Sequence, residues 1–249
     1  MKRIISCLSV CLACCALFYI FYTPNTSKGN REIQRISSVY IHSDYPTAAS
    51  IDAMEAASEY IVVGQYTAYD SSWNMARNPS TPEVEDTDHY TEGRLYRFHV
   101  DRVLRGELES DEILINLRYS ETVTAVESNA VVDHDGRIVK AATQENTLSF
   151  VAHDPLFIEP ELGCTYILFL SKNVETGHFY SAVEPFSIKD NQGMAVLQSN
   201  LIDHDDFTEQ VSIDSQRVIE VKHDSVRIEN FIGNATFGEI VEGIDRSAP

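Results

Sequence analysis

Cysteine is scarce where an exported protein often concentrates it. Four of the five cysteines (Cys7, Cys11, Cys14 and Cys15) lie in the first 22 residues, which leaves Cys164 alone in the rest of the chain. A lone thiol makes no internal disulfide, so disulfide-stapled mini-domains are excluded and stability must come from an apolar core. Basic residues are also few. Nineteen Lys and Arg against 38 Asp and Glu give a formal net charge of −19. Such a surface repels phosphate backbones and anionic headgroups, and we expect no nucleic-acid partner. Motifs of chemistry are missing too. No Gly-x-Ser-x-Gly elbow, His-Glu-x-x-His pair, Gly-x-Gly-x-x-Gly turn or phosphate loop occurs. No cofactor is therefore expected, no metal site is assigned, and no catalytic residue is named.

What the chain does have begins at its amino end. Lys2 and Arg3 precede Ile4 to Tyr22, nineteen residues without a charge. As a helix that stretch is about 28 Å long, close to the hydrocarbon thickness of a bilayer. Basic residues stay on the cytoplasmic side, so the remainder is expected outside the cytoplasm. The run ends in Leu17-Phe18-Tyr19-Ile20-Phe21-Tyr22, bulky aromatics that suit an interfacial belt and not a peptidase site. We read residues 1–22 as a single-pass signal-anchor. A lipoprotein signal at Cys14 or Cys15 and conventional cleavage are the alternatives, and acylation of one of these cysteines is a further one. An exported chain without bridges fits a bacterial surface, where the sequons at Asn25 and Asn234 are accidental.

Residues 23–45 read as a polar tether and 46–249 as one extracytoplasmic domain. Ser50 stands as an N-cap before Ile51, Met54 and Ala57 at helical spacing. "YIVVGQYTAY" reads as a buried strand. Residues 70–93, with Pro79, Pro82, Trp73 and the acidic run Glu83, Glu85, Asp86 and Asp88, read as a long loop. Tyr96, Phe98 and Val100 alternate with Arg97, His99 and Asp101, which predicts a strand with one dry face. The phase slips at Arg102, where a bulge or bend is expected. "EILINLRY" and "GCTYILFLSK" predict further strands, a hairpin is expected to turn at Asp135-Gly136, and two short strands should meet near Asn191 to Gly193. Residues 208–230 alternate too weakly to assign. Thr236 and Glu239 stand at capping-box spacing ahead of a short terminal helix.

Many short strands behind one helix predict a mainly β fold, a small Greek-key barrel. "SEYIVVGQY", "YRFHVDRVLRGEL" and "GCTYILFL" (Gly163 to Leu170), in that order, resemble the OB-type barrel of netrin-like modules and tissue inhibitors of metalloproteinases. The resemblance covers roughly residues 57 to 190 and implies a fold. It implies no inhibition, because those inhibitors act through a disulfide-held amino-terminal cysteine that this chain lacks. Tyr96, Phe98, Val100, Ile167 and Phe169 are expected to be buried.

Histidine keeps unusual company. Eight histidines have Asp as an immediate neighbour seven times, where composition alone gives about one. The clusters are Asp88-His89, Asp133-His134-Asp135, His153-Asp154, Asp203-His204-Asp205 and His223-Asp224. Neighbours on a strand point to opposite faces, so these pairs are expected to be solvated turns. A weak ion site at Asp133, Asp135, Asp203 and Asp205 is the alternative, although "VVDHDG" lacks the first and last ligands of a calcium loop. Cys164 is expected to be buried and inert, with a reactive thiol as its alternative. Trp73 is expected to pack on the barrel or, less simply, to serve as an exposed contact. The functional expectation is a binding or interaction module whose loops at 70–93 and 119–150 meet an envelope protein or wall polymer. An envelope hydrolase with an unrecognised site and an inhibitor-like module are the alternatives. A pocket gathering two or more histidines would favour the hydrolase.

Overall fold

The structure, a computed structural model, describes residues 34–42, 45–128, 131–132, 138–140, 145–202, 204, 206–213, 217–224 and 226–247. The expected anchor lies outside them, as do Asp133, Asp135, Asp203 and Asp205. Among the described residues no helix is long and apolar enough to cross a membrane. The described chain is mainly β, with two short helices.

Strands β2 (Tyr60–Asn74), β5 (Thr91–Arg105) and β6 (Glu112–Ser128) form an antiparallel meander. The other side of β2 takes β10 (Thr165–Lys172), again antiparallel. The short β11 (Phe179–Ser181) meets both ends of this order: it runs antiparallel to β10 and parallel to β6, pairing with β6 only at Phe179 and Ile115. Outward from β10 follow β12 (Ser187–Asn191) and β13 (Met194–Gln198). Their turn places Gln192 and Gly193 at φ 56° and 89°, the paired positive angles of a tight hairpin. The far half of β6 carries β9 (Glu145–His153). A separate three-stranded sheet, in the order β1 (Gln34–His42), β15 (Arg217–Asp224), β14 (Asp206–Ser212), joins the start of the described chain to its end by a parallel β1–β15 ladder.

Three apolar clusters hold these layers. Val62, Tyr66, Tyr96, Phe98, Ile115, Leu168 and Leu170 pack together on the inner face of the curled sheet. Ile61, Ile167, Phe169 and Ile188 face the other way, under α1 (Ile51–Ala57) and α2 (Phe237–Ser247) through Met54, Ile240 and Ile244. Strand β10 is therefore buried on both faces, which is why "TYILFL" is a continuous apolar run. The third cluster seats Ile219 and Val221 of the small sheet on Leu148, Phe150 and Ala152 of β9.

The five residues expected to be buried are buried, while Arg97 and His99 are exposed on the opposite face. Ile167 and Phe169, however, serve the cluster under the helices and not the one around Phe98. The phase slip at Arg102 is a bulged register: Val63 pairs with Arg102, but Gly64 pairs with Val100. Both caps form as expected. Ser50 Oγ accepts from the Ala53 N–H at 3.1 Å, and Thr236 and Glu239 exchange hydrogen bonds at 2.9 and 3.2 Å.

Three expectations are corrected. Residues 34–42 of the expected tether form β1, because their alternating apolar residues Val39 and Ile41 find a partner layer more than a hundred residues away. Residues 70–93 are no long loop: β2 and β5 run on past Asp70 and back from Thr91, with a small β3 (Arg77–Asn78) and β4 (Thr81–Glu85) hairpin between. Likewise 119–150 is no loop but largely the β6–β9 ribbon; within it β7 (Val131–Val132) and β8 (Ile138–Lys140) pair antiparallel as the expected hairpin, whose Asp135-Gly136 turn lies outside the described residues. Trp73 packs, donating its indole N–H to Asn116 Oδ1 at 2.7 Å beneath the Arg77 guanidinium.

Candidate functional site

Beyond Ile115, β6 and β11 have no further paired residues, and a cavity of about 490 Å³ opens where they part. Its deep wall is aromatic and belongs to the inner cluster. Tyr66 and Tyr166 meet edge to face at 5.3 Å there, beside Leu117 and Phe186. The outer wall is the segment Asp154 to Pro160, with His42 and Tyr45 from the end of β1.

Hydrogen bonds and ion pairs hold the charged groups of this site. The turn after β9 is closed by Phe157 N–H donating to Asp154 O at 3.1 Å, and Asn200 Nδ2 fastens it by donating to the carbonyls of Pro155 and Phe157 at 3.0 and 3.1 Å. Asp154 Oδ1 accepts from Leu156 N–H at 2.8 Å, and its Oδ2 stands 3.3 Å from Arg118 Nε. Arg118 in turn reaches Glu121 Oε2 at 2.7 Å. Glu184 is held by its main chain: its N–H donates to Pro46 O, and its C=O accepts from Ala48 N–H, both at 2.9 Å. The segment leaving β1 thus puts Tyr45 and Glu184 in the same wall. The Tyr45 hydroxyl is buried and has no hydrogen-bond partner among the described residues.

Burial sets the protonation of this group. Glu184 is pushed up to about 7, chiefly by loss of water and then by the nearby Asp154, against a hydrogen bond from Ser199. Asp154 is raised in the same direction by burial, opposed by its bond from Leu156 and by the Arg118 charge. Tyr45 is raised by burial and by Glu184 and Asp154. Two acids thus share a dry space with one guanidinium. Perturbed acids in a concave site are the usual mark of function.

No family model, curated protein or solved structure matches the chain. The chemistry of the cavity must therefore be read from its own residues.

Among the described residues the histidines do not converge on the cavity. Of these His42 alone lines it, and its Nδ1 lies 3.1 Å from Asp224 across the β1–β15 ladder. Elsewhere His89 bonds Asp86 rather than Asp88, and His153 bonds Glu209 rather than Asp154, both at 2.9 Å. His153 lies on β9, where alternation along the strand turns it away from its neighbour, whereas His89 lies in the loop between β4 and β5. His223 Nε2 stands 4.0 Å from the same Glu209, while its buried Nδ1 has no partner among the described residues. Among the described residues no three His, Cys, Asp or Glu side chains converge in a way that would hold a metal ion. Cys164 is half-buried, with its Sγ 3.6 Å from Glu161 Oε2. Glu184 drew no attention in the sequence. Its signal is an acid set inside an apolar run, "SAVEPFSI".

Proposed function

We propose that this chain is a membrane-anchored extracytoplasmic binding module, an OB-like barrel whose ligand site is the cavity between β6 and β11. The barrel reading is supported by the strand order: β2, β5, β6, β11 and β10 follow one another with β11 parallel to β6, the arrangement of a five-stranded Greek key returning on itself. The single observation that carries the binding role is the cavity: about 490 Å³, within the range of small-ligand sites, aromatic at depth and carrying a few convergent polar groups. The anchor would hold the domain at the membrane surface, and its acidic face, chiefly the exposed β4, would keep it clear of anionic lipid. The test is ligand-observed NMR with a small-fragment library and the full chain in lipid nanodiscs. Ser181 is exposed and lines the cavity, so Ser181→Trp fills it from its edge. Hits should vanish with this variant; hits that survive it refute the site.

A second reading, an envelope hydrolase, is favoured by one observation. Glu184 at about 7 is still half protonated at neutral pH, as a general acid requires. Release of soluble fragments from purified wall polymer, abolished by Glu184→Gln, would establish this reading. Intact polymer after prolonged incubation would dismiss it.

A further inference from the structure

We infer that the cavity takes a small organic cation, an amine or guanidinium on an apolar body, with Glu184 as its counter-charge. The inference rests on the cavity being a ligand site and adds the class of ligand.

The charge inventory of the walls carries it. Among the described residues, three with carboxyl side chains line the cavity, Glu121, Asp154 and Glu184, against one permanent cation, Arg118. Arg118 already spans two of them, at 2.7 Å to Glu121 and 3.3 Å to Asp154. His42, the remaining basic group, is turned to Asp224. Glu184 is left buried and, among the described residues, has no cation of its own. A buried carboxylate is tolerated when a partner charge arrives with it, and strongly disfavoured otherwise. An anionic ligand would bring a further negative charge into this space and find the one guanidinium already shared. A neutral ligand would leave Glu184 as it is. A cationic head supplies the missing counter-charge.

The rest of the wall fits the apolar body of such a ligand. Tyr66 and Tyr166 line the deep side, and Phe157 and Phe186 the flanks. Rings around a cation contribute through their negative faces, and around its carbon body through apolar burial. A bare metal ion would gain little from these walls. Secondary structure fixes the β6 side of the cavity, and the Asn200-stapled turn fixes the segment from Asp154 to Phe157. The site is therefore largely preformed.

The test uses the full chain in zwitterionic lipid nanodiscs and isothermal titration calorimetry. Two matched sets of probes differ only in head group: benzylamine, benzyl alcohol and benzoate; tryptamine, tryptophol and indole-3-acetate. One amine should bind saturably, with its alcohol about tenfold weaker, the worth of one charge-assisted hydrogen bond, and its acid weaker still. Glu184→Gln, isosteric and able to keep the Ser199 bond, should erase the preference for amine over alcohol while unfolding remains cooperative. If Glu184→Gln fails to fold, Asp154→Asn replaces it, with a smaller loss of the same preference expected. An alcohol or acid that binds as tightly as the amine overturns the cation assignment and leaves the cavity as a ligand site. Amine binding indifferent to both substitutions overturns the role of Glu184. No binding by any of the six probes at millimolar concentration overturns the ligand site itself.

Discussion

Phe98 shows how a single side chain organises the inner cluster. It is fully buried, stacks edge to face on Tyr66 at 5.0 Å, and lies on the dry face opposite Arg97 and His99. Replacing it by Ala should cost about 3–5 kcal/mol, read as a lower midpoint in chemical denaturation with the slope unchanged. Glu184 makes the complementary case, a residue whose environment opposes stability. Its carboxyl is raised from an ordinary 4.5 to about 7, so the folded chain holds a proton that the unfolded chain has released. Stability from this group is therefore present below pH 4.5, falls as the pH rises through the window from 4.5 to 7, and is fully lost above it, a change of about 3 kcal/mol. Asp154, raised by burial, acts in the same sense. His178 and His223 act in the opposite sense: burial lowers them, so the unfolded chain takes up protons first as the pH falls below about 6.5. Below about pH 6.5 these opposing effects overlap, so as the pH falls the histidines offset part of the stability that Glu184 and Asp154 restore. Glu184→Gln should melt higher than the parent at pH 8 and level with it near pH 5. Equal melting at both values would show that Glu184 is not desolvated. The dry face around Phe98 was legible in the sequence because alternation reports it directly. Glu184 was not, since its burial depends on Pro46 and Ala48, brought to it by the segment after β1.

At the level of elements, curvature comes from the bulged β2–β5 ladder, whose register shifts at four places. Gly64 is the tightest point of that ladder. A Cβ at this position would lie 2.0 Å from the His99 carbonyl oxygen and 2.7 Å from the Phe98 ring. Gly64→Ala should thus destabilise the chain by about 1–3 kcal/mol or more, because the clash is with backbone that cannot step aside. A neutral effect in the same denaturation assay would mean that β5 does not approach β2 as closely as described. Elements with local signals were readable in advance: both caps, the Gln192-Gly193 hairpin and the slip at Arg102 are set within a few residues of sequence. Elements made by distant partners were not. Strand β1 looks like a polar tether until β15, far along the chain, gives Val39 and Ile41 a layer to cover. The segment 70–93 reads as a loop because its prolines and acids mask a short exposed hairpin, in which side chains carry little packing information.

For the whole molecule, the first 22 residues and the cavity are separate claims. The anchor rests on nineteen uncharged residues behind Lys2 and Arg3. The full-length protein should remain with membranes after carbonate washing, while added protease reaches its carboxyl end from outside. A mature amino terminus at Cys14, Cys15 or anywhere from residue 23 to 30 would replace the anchor by lipidation or cleavage. The proposed ligand site draws on three segments far apart in sequence: β6 near Arg118, the turn from Asp154 to Pro160, and the stretch from Ser181 to Ser187. Its place was hidden from the sequence for that reason, and the adjacent Asp and His residues drew the eye to turns instead. Hydrogen–deuterium exchange on the full chain, with and without saturating tryptamine, reads all three segments at once. Protection should appear together in 116–121, 154–160 and 181–187 and little elsewhere. Protection over the acidic hairpin at 77–88, with those three segments unchanged, would mean that surface charge and not the cavity holds the ligand.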